Sequence, residues 1–252
     1  MCGLTGFLLN KNSEINLKST ISEMTNTLNH RGPDNSDSWF SQKKRIALGH
    51  TRLSILDLSS NGSQPMFDQE KRFVIIYNGE IYNHKFLRKY INDNYSQNII
   101  WNSNSDTETL VNCISLLGID KTLKMVDGMF SFALFDTKHD TLTLVRDRFG
   151  QKPLYYGWVN NNFVFSSELK AFKKFQGFNN NLNFNSLSLY FKFMYIPAPN
   201  TIYKEIYKLR PGHLIKISLQ KTYSHIDNNR DLKSTNYTYK NWWSLEDQIR
   251  SS

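Results

Sequence analysis

Cysteine is scarce in this chain. Only Cys2 and Cys113 carry a thiol among 252 residues, and neither belongs to a CxxC pair. Two isolated thiols exclude a disulfide framework and a cysteine-built metal site, and they fit a reducing cytosol. In that compartment the triplets starting at Asn61, Asn94 and Asn236 are chance sequons of an Asn-rich chain, not glycosylation sites. A membrane-spanning apolar run is also missing. Polar and charged residues at Asn10-Lys11-Asn12 follow the first apolar stretch too soon for a signal peptide. The expected location is therefore cytoplasmic. The six histidines (30, 50, 84, 139, 213 and 225) show no ligand spacing such as HxxxH, so metal catalysis has no support and no metal site is assigned. Nor is there a basic stripe. The net charge of +9 is dispersed, with only short clusters at Lys43-Lys44-Arg45 and Lys173-Lys174, whereas a surface that tracks phosphates needs contiguous charge. Nucleic acid and membrane are thus not expected partners.

What is present suffices for a substantial core. Hydrophobic residues make up 39% and aromatics 14%, which suits one large domain or one domain plus a fragment of another. Residues 2–9 read as a short buried strand whose glycines mark a close approach to the backbone. Leu17, Ile21, Met24 and Leu28 fall at helical spacing and predict a helix over 17–29, ended at Gly32-Pro33. Strands are expected at 36–41 and 45–50, then a polar loop over 59–66. Phe73–Tyr77 is a continuous apolar strand, and Asn78-Gly79 is a turn signal after it. A helix over 83–94 should turn Phe86, Leu87, Tyr90 and Ile91 inward. Ser105-Asp106-Thr107-Glu108 has capping-box form and predicts a helix that buries Cys113 as a structural thiol. Hairpins follow at 129–136 with 141–147, and at 154–158 with 163–167. Helices are expected at 167–174 and 185–195, a break at Ile196-Pro197-Ala198-Pro199, and a strand at 214–219. The stretch 220–241 is polar and poor in pattern. Antiparallel pairs with grouped helices argue an α+β fold with layered sheets.

The N-terminus, Met1-Cys2-Gly3, carries the distinctive chemistry. Once Met1 is removed, Cys2 holds a thiol with a pKa of about 8.5 beside an α-amine of about 7.7–8.0. One residue then supplies nucleophile and base together. Read alone, a cysteine here is equally a small apolar residue opening a strand. In the same way Asn78-Gly79 alone is a hairpin turn, Arg52 a surface charge and Asp106 a helix cap. Asp34 and Asp147 suit structural ion pairs with arginines, and His30 and His50 suit loop-positioning or core roles.

Taken in order, the motifs say more. Met1-Cys2-Gly3, His30-Arg31-Gly32-Pro33-Asp34, Gly49-His50-Thr51-Arg52-Leu53-Ser54-Ile55, Gln64-Pro65-Met66, Tyr77-Asn78-Gly79-Glu80-Ile81-Tyr82-Asn83, Ser105-Asp106-Thr107-Glu108, Asp127-Gly128-Met129-Phe130 and Arg146-Asp147-Arg148-Phe149-Gly150-Gln151-Lys152-Pro153-Leu154-Tyr155 run through most of the chain. In that order they resemble the glutaminase domain of class II glutamine amidotransferases of the asparagine-synthetase type. The resemblance implies an N-terminal-nucleophile fold, a four-layer αββα sandwich of two mainly antiparallel sheets. It also implies site roles. Cys2 attacks the side-chain amide of L-glutamine and forms a thioester. Asn78 and Gly79 donate to the oxyanion, Arg52 grips the α-carboxylate and Asp106 pairs with the α-ammonium. Leu53, Ser54, Ile55, Leu56 and Glu80 complete the pocket.

Asn104 stands where the family more often has glycine, so the loop before Asp106 is expected to differ in shape. No SGG-type phosphate loop occurs. The resemblance therefore implies a glutaminase unit over 2–217, with 218–252 a linker and the start of a synthetase domain absent from this sequence. ATP and magnesium would belong to that domain, leaving no cofactor here. The implied partners are L-glutamine and a synthetase domain or subunit, with a homodimer left open. Two alternatives remain: a glutamine-binding or docking module without turnover, and a stand-alone glutaminase serving a different acceptor.

Overall fold

The computed structural model describes residues 1–95, 99–219 and 237–251. Twelve strands lie among them. They are β1 (Gly3–Leu8), β2 (Asn35–Ser41), β3 (Ile46–Arg52), β4 (Met66–Phe67), β5 (Phe73–Ile81), β6 (Gly128–Asp136), β7 (Thr141–Arg146), β8 (Tyr155–Val159), β9 (Asn162–Ser166), β10 (Ile206–Lys208), β11 (His213–Ser218) and β12 (Tyr237–Asn241). The helices are α1 (Leu17–Asn26), α2 (His84–Asn94), α3 (Asp106–Leu117), α4 (Ile119–Met125), α5 (Leu169–Phe172), α6 (Phe184–Phe193) and α7 (Leu245–Ser251). One six-stranded sheet has the order β10-β8-β9-β1-β3-β2, the other β12-β11-β7-β6-β5-β4. Every strand pairing in them is antiparallel.

Period-2 alternation explains why the sheets stack. On β1, Leu4 and Leu8 join Ile46, Leu48, Val74, Ile76, Ala133 and Phe135 in one core between the sheets. Phe7 points the other way, onto Leu17, Ile21 and Met24 of α1 and Ala171 and Phe172 of α5. Ile75, Phe132 and Leu134 face outward from the second sheet onto Leu87 of α2, Leu110 and Ile114 of α3 and Leu123 of α4. The stack is therefore helix, sheet, sheet, helix. α6 lies outside it, burying only Ser186.

The structure revises several expectations. α1 ends at Asn26, and a separate 3-10 turn spans Asn29–Arg31. Asn78-Gly79 makes no turn: β5 runs through both to Ile81, in register with Ser131 and Phe130 of β6. The glycine is needed for close approach, because a Cβ at Gly79 would sit 2.4 Å from the Met129 carbonyl oxygen. On α2, Leu87 and Ile91 are buried but Phe86 is 59% exposed. Ser105 caps α3 by accepting from the Thr107 N–H, yet Glu108 does not return the bond. Its carboxylate accepts from the backbone of Asn102 and Ser103 instead. Asp34 and Asp147 bond to backbone amides rather than to arginines: Asp34 accepts from Ser54, and Asp147 from Phe130, Phe149, Gln151 and Lys152. The pattern-poor stretch 220–241 ends in β12, which pairs with β11. Its residues 220–236 lie outside the described residues, as do Ser96 and Asn236 of two of the chance sequons.

Candidate active site

The same alternation that buries Leu4, Leu48 and Ile76 sets the direction of the polar residues at the strand ends. Cys2 lies two residues before Leu4, Arg52 four after Leu48, and Asn78 and Glu80 two and four after Ile76. All four thus point toward the space between the sheets where the apolar core runs out. There they line a single cleft, open to solvent, with a cavity volume of about 80 Å³.

Cys2 forms the cleft's back. Its Sγ lies 3.4 Å from the Leu53 N–H and donates toward the Leu53 carbonyl at 3.7 Å. The Arg31 Nε donates to the Cys2 carbonyl at 3.1 Å, fixing the backbone behind the thiol. Burial pushes the thiol pKa up, and the Leu53 bond, the N-terminal charge and Arg52 offset this only in part. At neutral pH Cys2 is therefore a thiol that needs a base. Met1 is still attached, and its sulfur rests 3.3 Å from the Lys152 Nζ on the cleft wall.

β5 provides the opposite wall. The Asn78 Nδ2 is buried and has no hydrogen-bond partner among the described residues. Backbone N–H groups alternate along the strand, and the direction is readable here. Tyr77 N–H donates to Gln64 Oε1 at 2.6 Å and Ile81 N–H to Asp106 Oδ2 at 2.8 Å, both on the edge away from β6. The Gly79 N–H points to that same edge between them. β4 pairs only with Val74 and Ile75, so the edge is open at Gly79.

Asp106 begins α3. Its Oδ2 accepts from the Tyr77 hydroxyl and the Ile81 N–H, each at 2.8 Å. Burial raises its pKa against these bonds. No lysine or arginine stands within ion-pair distance of it among the described residues. The loop before it is held by Arg88, which donates to the carbonyls of Ser103 and Ser105 at 2.8 Å. Asn104 donates its N–H to Asp57 Oδ2, lacing this loop to the one after β3.

Arg52 is 7% exposed and donates to the carbonyls of Ser59, at 2.7 Å, and Asp57. Gly62 makes room for it, since a Cβ there would meet the Arg52 Nη2 at 2.2 Å. Leu53, Ile55, Leu56, Asn78, Gly79, Glu80 and Asp106 also line the cleft. Ser54 does not, and its N–H instead holds Asp34 at 2.7 Å. Gln64, Tyr77, Thr107 and Lys152 line it too, although no sequence signal assigned them a role.

His50 lies beneath the floor, fully buried. Its Nε2 is 2.9 Å from the Tyr77 carbonyl, and burial drops its pKa to about 4, so it is neutral and donates that bond. His30 is at the surface with Glu168 and Lys170. Cys113 is buried in α3, its thiol pushed up to about 12. No cluster of metal-ligating residues occurs among the described residues, and no described helix is long and apolar enough to cross a membrane.

A family model described as a glutamine amidotransferase domain matches residues 1–226. The chain belongs to that family. The amidotransferase domain is 36% identical over 239 residues to a putative glutamine-hydrolyzing asparagine synthetase of Methanocaldococcus jannaschii, covering 88% of this chain and 45% of that protein. It is 35% identical to asparagine synthetase 3 of Bacillus subtilis, covering 86% of this chain and 35% of the relative. Another relative, at 31% identity over 224 residues, is the amidase chry2 of Gibberella zeae, with 85% and 32% covered. The chain thus spans less than half the length of these curated relatives. Among solved structures, a glutamine phosphoribosylpyrophosphate amidotransferase from B. subtilis superposes with a TM-score of 0.65 at 16% identity, over 97% of this chain and 50% of that one, which shows a shared fold.

Proposed function

We propose that this chain is the glutaminase part of a glutamine-hydrolysing asparagine synthetase, turning L-glutamine into glutamate and ammonia at Cys2. The observation that carries this reading is the unmatched pair on the cleft walls: a buried amide donor without an acceptor, Asn78 Nδ2, and a buried carboxylate without a cation, Asp106. A bound amino acid with a developing oxyanion supplies both missing partners.

With Met1 removed, the Cys2 α-amine accepts the thiol proton as Sγ bonds the side-chain amide carbon of glutamine. The carbonyl oxygen becomes an oxyanion between Asn78 Nδ2 and the Gly79 N–H. Such a donor typically contributes about 2.7–4 kcal/mol in the transition state. The α-ammonium returns its proton to the amide nitrogen, the C–N bond breaks and ammonia leaves. Water, deprotonated by the same amine, then attacks the thioester and releases glutamate. The Arg52 guanidinium is the donor for the substrate α-carboxylate, with a planar fork suited to two oxygens. Asp106 holds the α-ammonium, while Leu53, Ile55, Leu56 and Glu80 shape the walls. Ser54 acts from behind, through its backbone bond to Asp34.

The glutaminase unit covers residues 2–217, with β12 added to its second sheet from the segment 218–252 that leads toward a synthetase domain. That domain, fused or separate, would use ATP and magnesium to activate aspartate for the ammonia. A homodimer is compatible with this arrangement, and so is a cytoplasmic location. The likeness to an amidase favours a second reading of the acceptor alone: the same glutaminase chemistry serving a product other than asparagine.

The test is an assay of glutamate and ammonia release with the N-terminal mass measured in parallel. Chains starting at Cys2 should turn glutamine over, and Cys2→Ala should abolish it. Absence of turnover in fully processed chains would favour a binding module instead. Adding candidate acceptors with ATP separates the two readings of the ammonia's destination.

A further inference from the structure

Lys152 is buried where an ammonium has little reason to be. Its backbone is fixed from both sides: the N–H donates to Asp147 Oδ2 at 2.9 Å and the carbonyl accepts from Arg146 Nε at 2.8 Å. The residue is 7% exposed, and its side chain reaches the cleft beside Cys2 and Glu80. Its Nζ touches the Met1 thioether, a weak acceptor, at 3.3 Å. No carboxylate lies within ion-pair distance among the described residues. Burial lowers its pKa first and the Arg31 guanidinium adds to this, while Asp147, Cys2 and Glu80 oppose.

Removal of Met1 takes that thioether away and leaves a new α-amine on Cys2, in the cleft that Lys152 also lines. Two amines then share one cleft. The α-amine, with an ordinary pKa of about 7.7–8.0 against about 10.4 for lysine, is the one that gives up its proton. Arg31 holds the Cys2 carbonyl through its Nε, and its charge is offset by Glu168, 2.7 Å from its Nη1. The charged groups around the terminus are Arg31 from the 3-10 turn with its partner Glu168, Arg52 from β3, Asp57 from the loop after β3, Glu80 from β5, Asp106 from α3, and Asp147 and Lys152 from the loop before β8. Tyr77 stays neutral because burial raises its pKa.

We infer that Lys152 is a positioning residue for the nucleophile: its cation keeps the α-amine of processed Cys2 in the free-base form that takes the thiol proton. This rests on the glutaminase reading above. It adds that the basicity of the N-terminal amine is set by a residue 150 positions away in sequence.

The test is the pH dependence of kcat/KM for glutamine hydrolysis in wild type, Lys152→Met and Lys152→Arg, each checked by mass for loss of Met1. Lys152→Met should move the acidic limb upward by about one pH unit, a loss approaching about tenfold near pH 6.5 that narrows to less than about 1.5-fold near pH 9. Lys152→Arg should restore the wild-type limb. An equal loss at every pH, with the limb in place, would overturn the inference and leave Lys152 a packing residue. Should Lys152→Met not fold, the terminal amine can be titrated in wild type through its rate of acylation. A midpoint below about 7.7 is expected, and one at or above it contradicts the inference. This titration needs no turnover, so an inactive processed wild type would count against the glutaminase reading alone.

Discussion

Two residues show how a single side chain carries either chemistry or stability. The Asn78 Nδ2 has no partner among the described residues, and in the proposed reaction it bonds only once an oxyanion forms. Asn78→Ala should lower kcat by about 10²–10³-fold with little change in KM, read from steady-state glutamine hydrolysis. His50 is the opposite case. Its pKa of about 4 in the folded state lies below the ordinary value of 6.5, so the unfolded chain binds the extra proton between those limits. The neutral-His contribution is therefore full above pH 6.5 and falls away as pH drops toward 4, by on the order of 3 kcal/mol. Urea unfolding at pH 7 and pH 5 should show that slope, and His50→Gln should remove it.

At the scale of elements, the site is a product of strand alternation. β1, β3 and β5 each send apolar residues into the gap between the sheets and then, one or two steps further along the same face, a polar residue into the cleft. The strands themselves are legible in the sequence at 2–9 and 45–50, though not which face of each is polar. The strong turn signal of Asn78-Gly79 hid the end of β5, where glycine answers the nearby Met129 carbonyl rather than a left-handed backbone. Loops finish the cleft. Gly62 tests how one of them holds Arg52, because an added Cβ would press on the guanidinium and not on backbone. Gly62→Ala should raise KM for glutamine by about tenfold, as expected for loss of a substrate carboxylate contact worth about 1.4 kcal/mol, and change the unfolding midpoint little. An unchanged KM would mean that Arg52 does not hold the substrate.

Across the whole molecule, the fold class was legible because hairpins β6–β7 and β8–β9 and the apolar β5 are local patterns, and the family motifs fell on the strand ends and loops around the cleft. The order of strands was not. β10 and β12 are short strands, joining their sheets at the far edges beside β8 and β11. Gln64, Arg31 and Lys152 escaped assignment for a related reason: their roles depend on contacts 13, 29 and 151 residues away. If the ammonia is delivered to a synthetase, hydrolysis by this chain alone should be slow and should rise when the synthetase part is supplied. Equal rates with and without it would argue for a stand-alone glutaminase.

The central claim is that the sulfur at position 2 attacks the amide of glutamine in this cleft. It is tested most directly by treating processed chain with a glutamine analogue bearing an electrophilic ketone in place of the amide, then mapping the adduct by mass spectrometry. One adduct on Cys2, suppressed by excess L-glutamine and absent in Cys2→Ala, is the predicted result. No adduct, or labelling of Cys113 that glutamine fails to suppress, would contradict it.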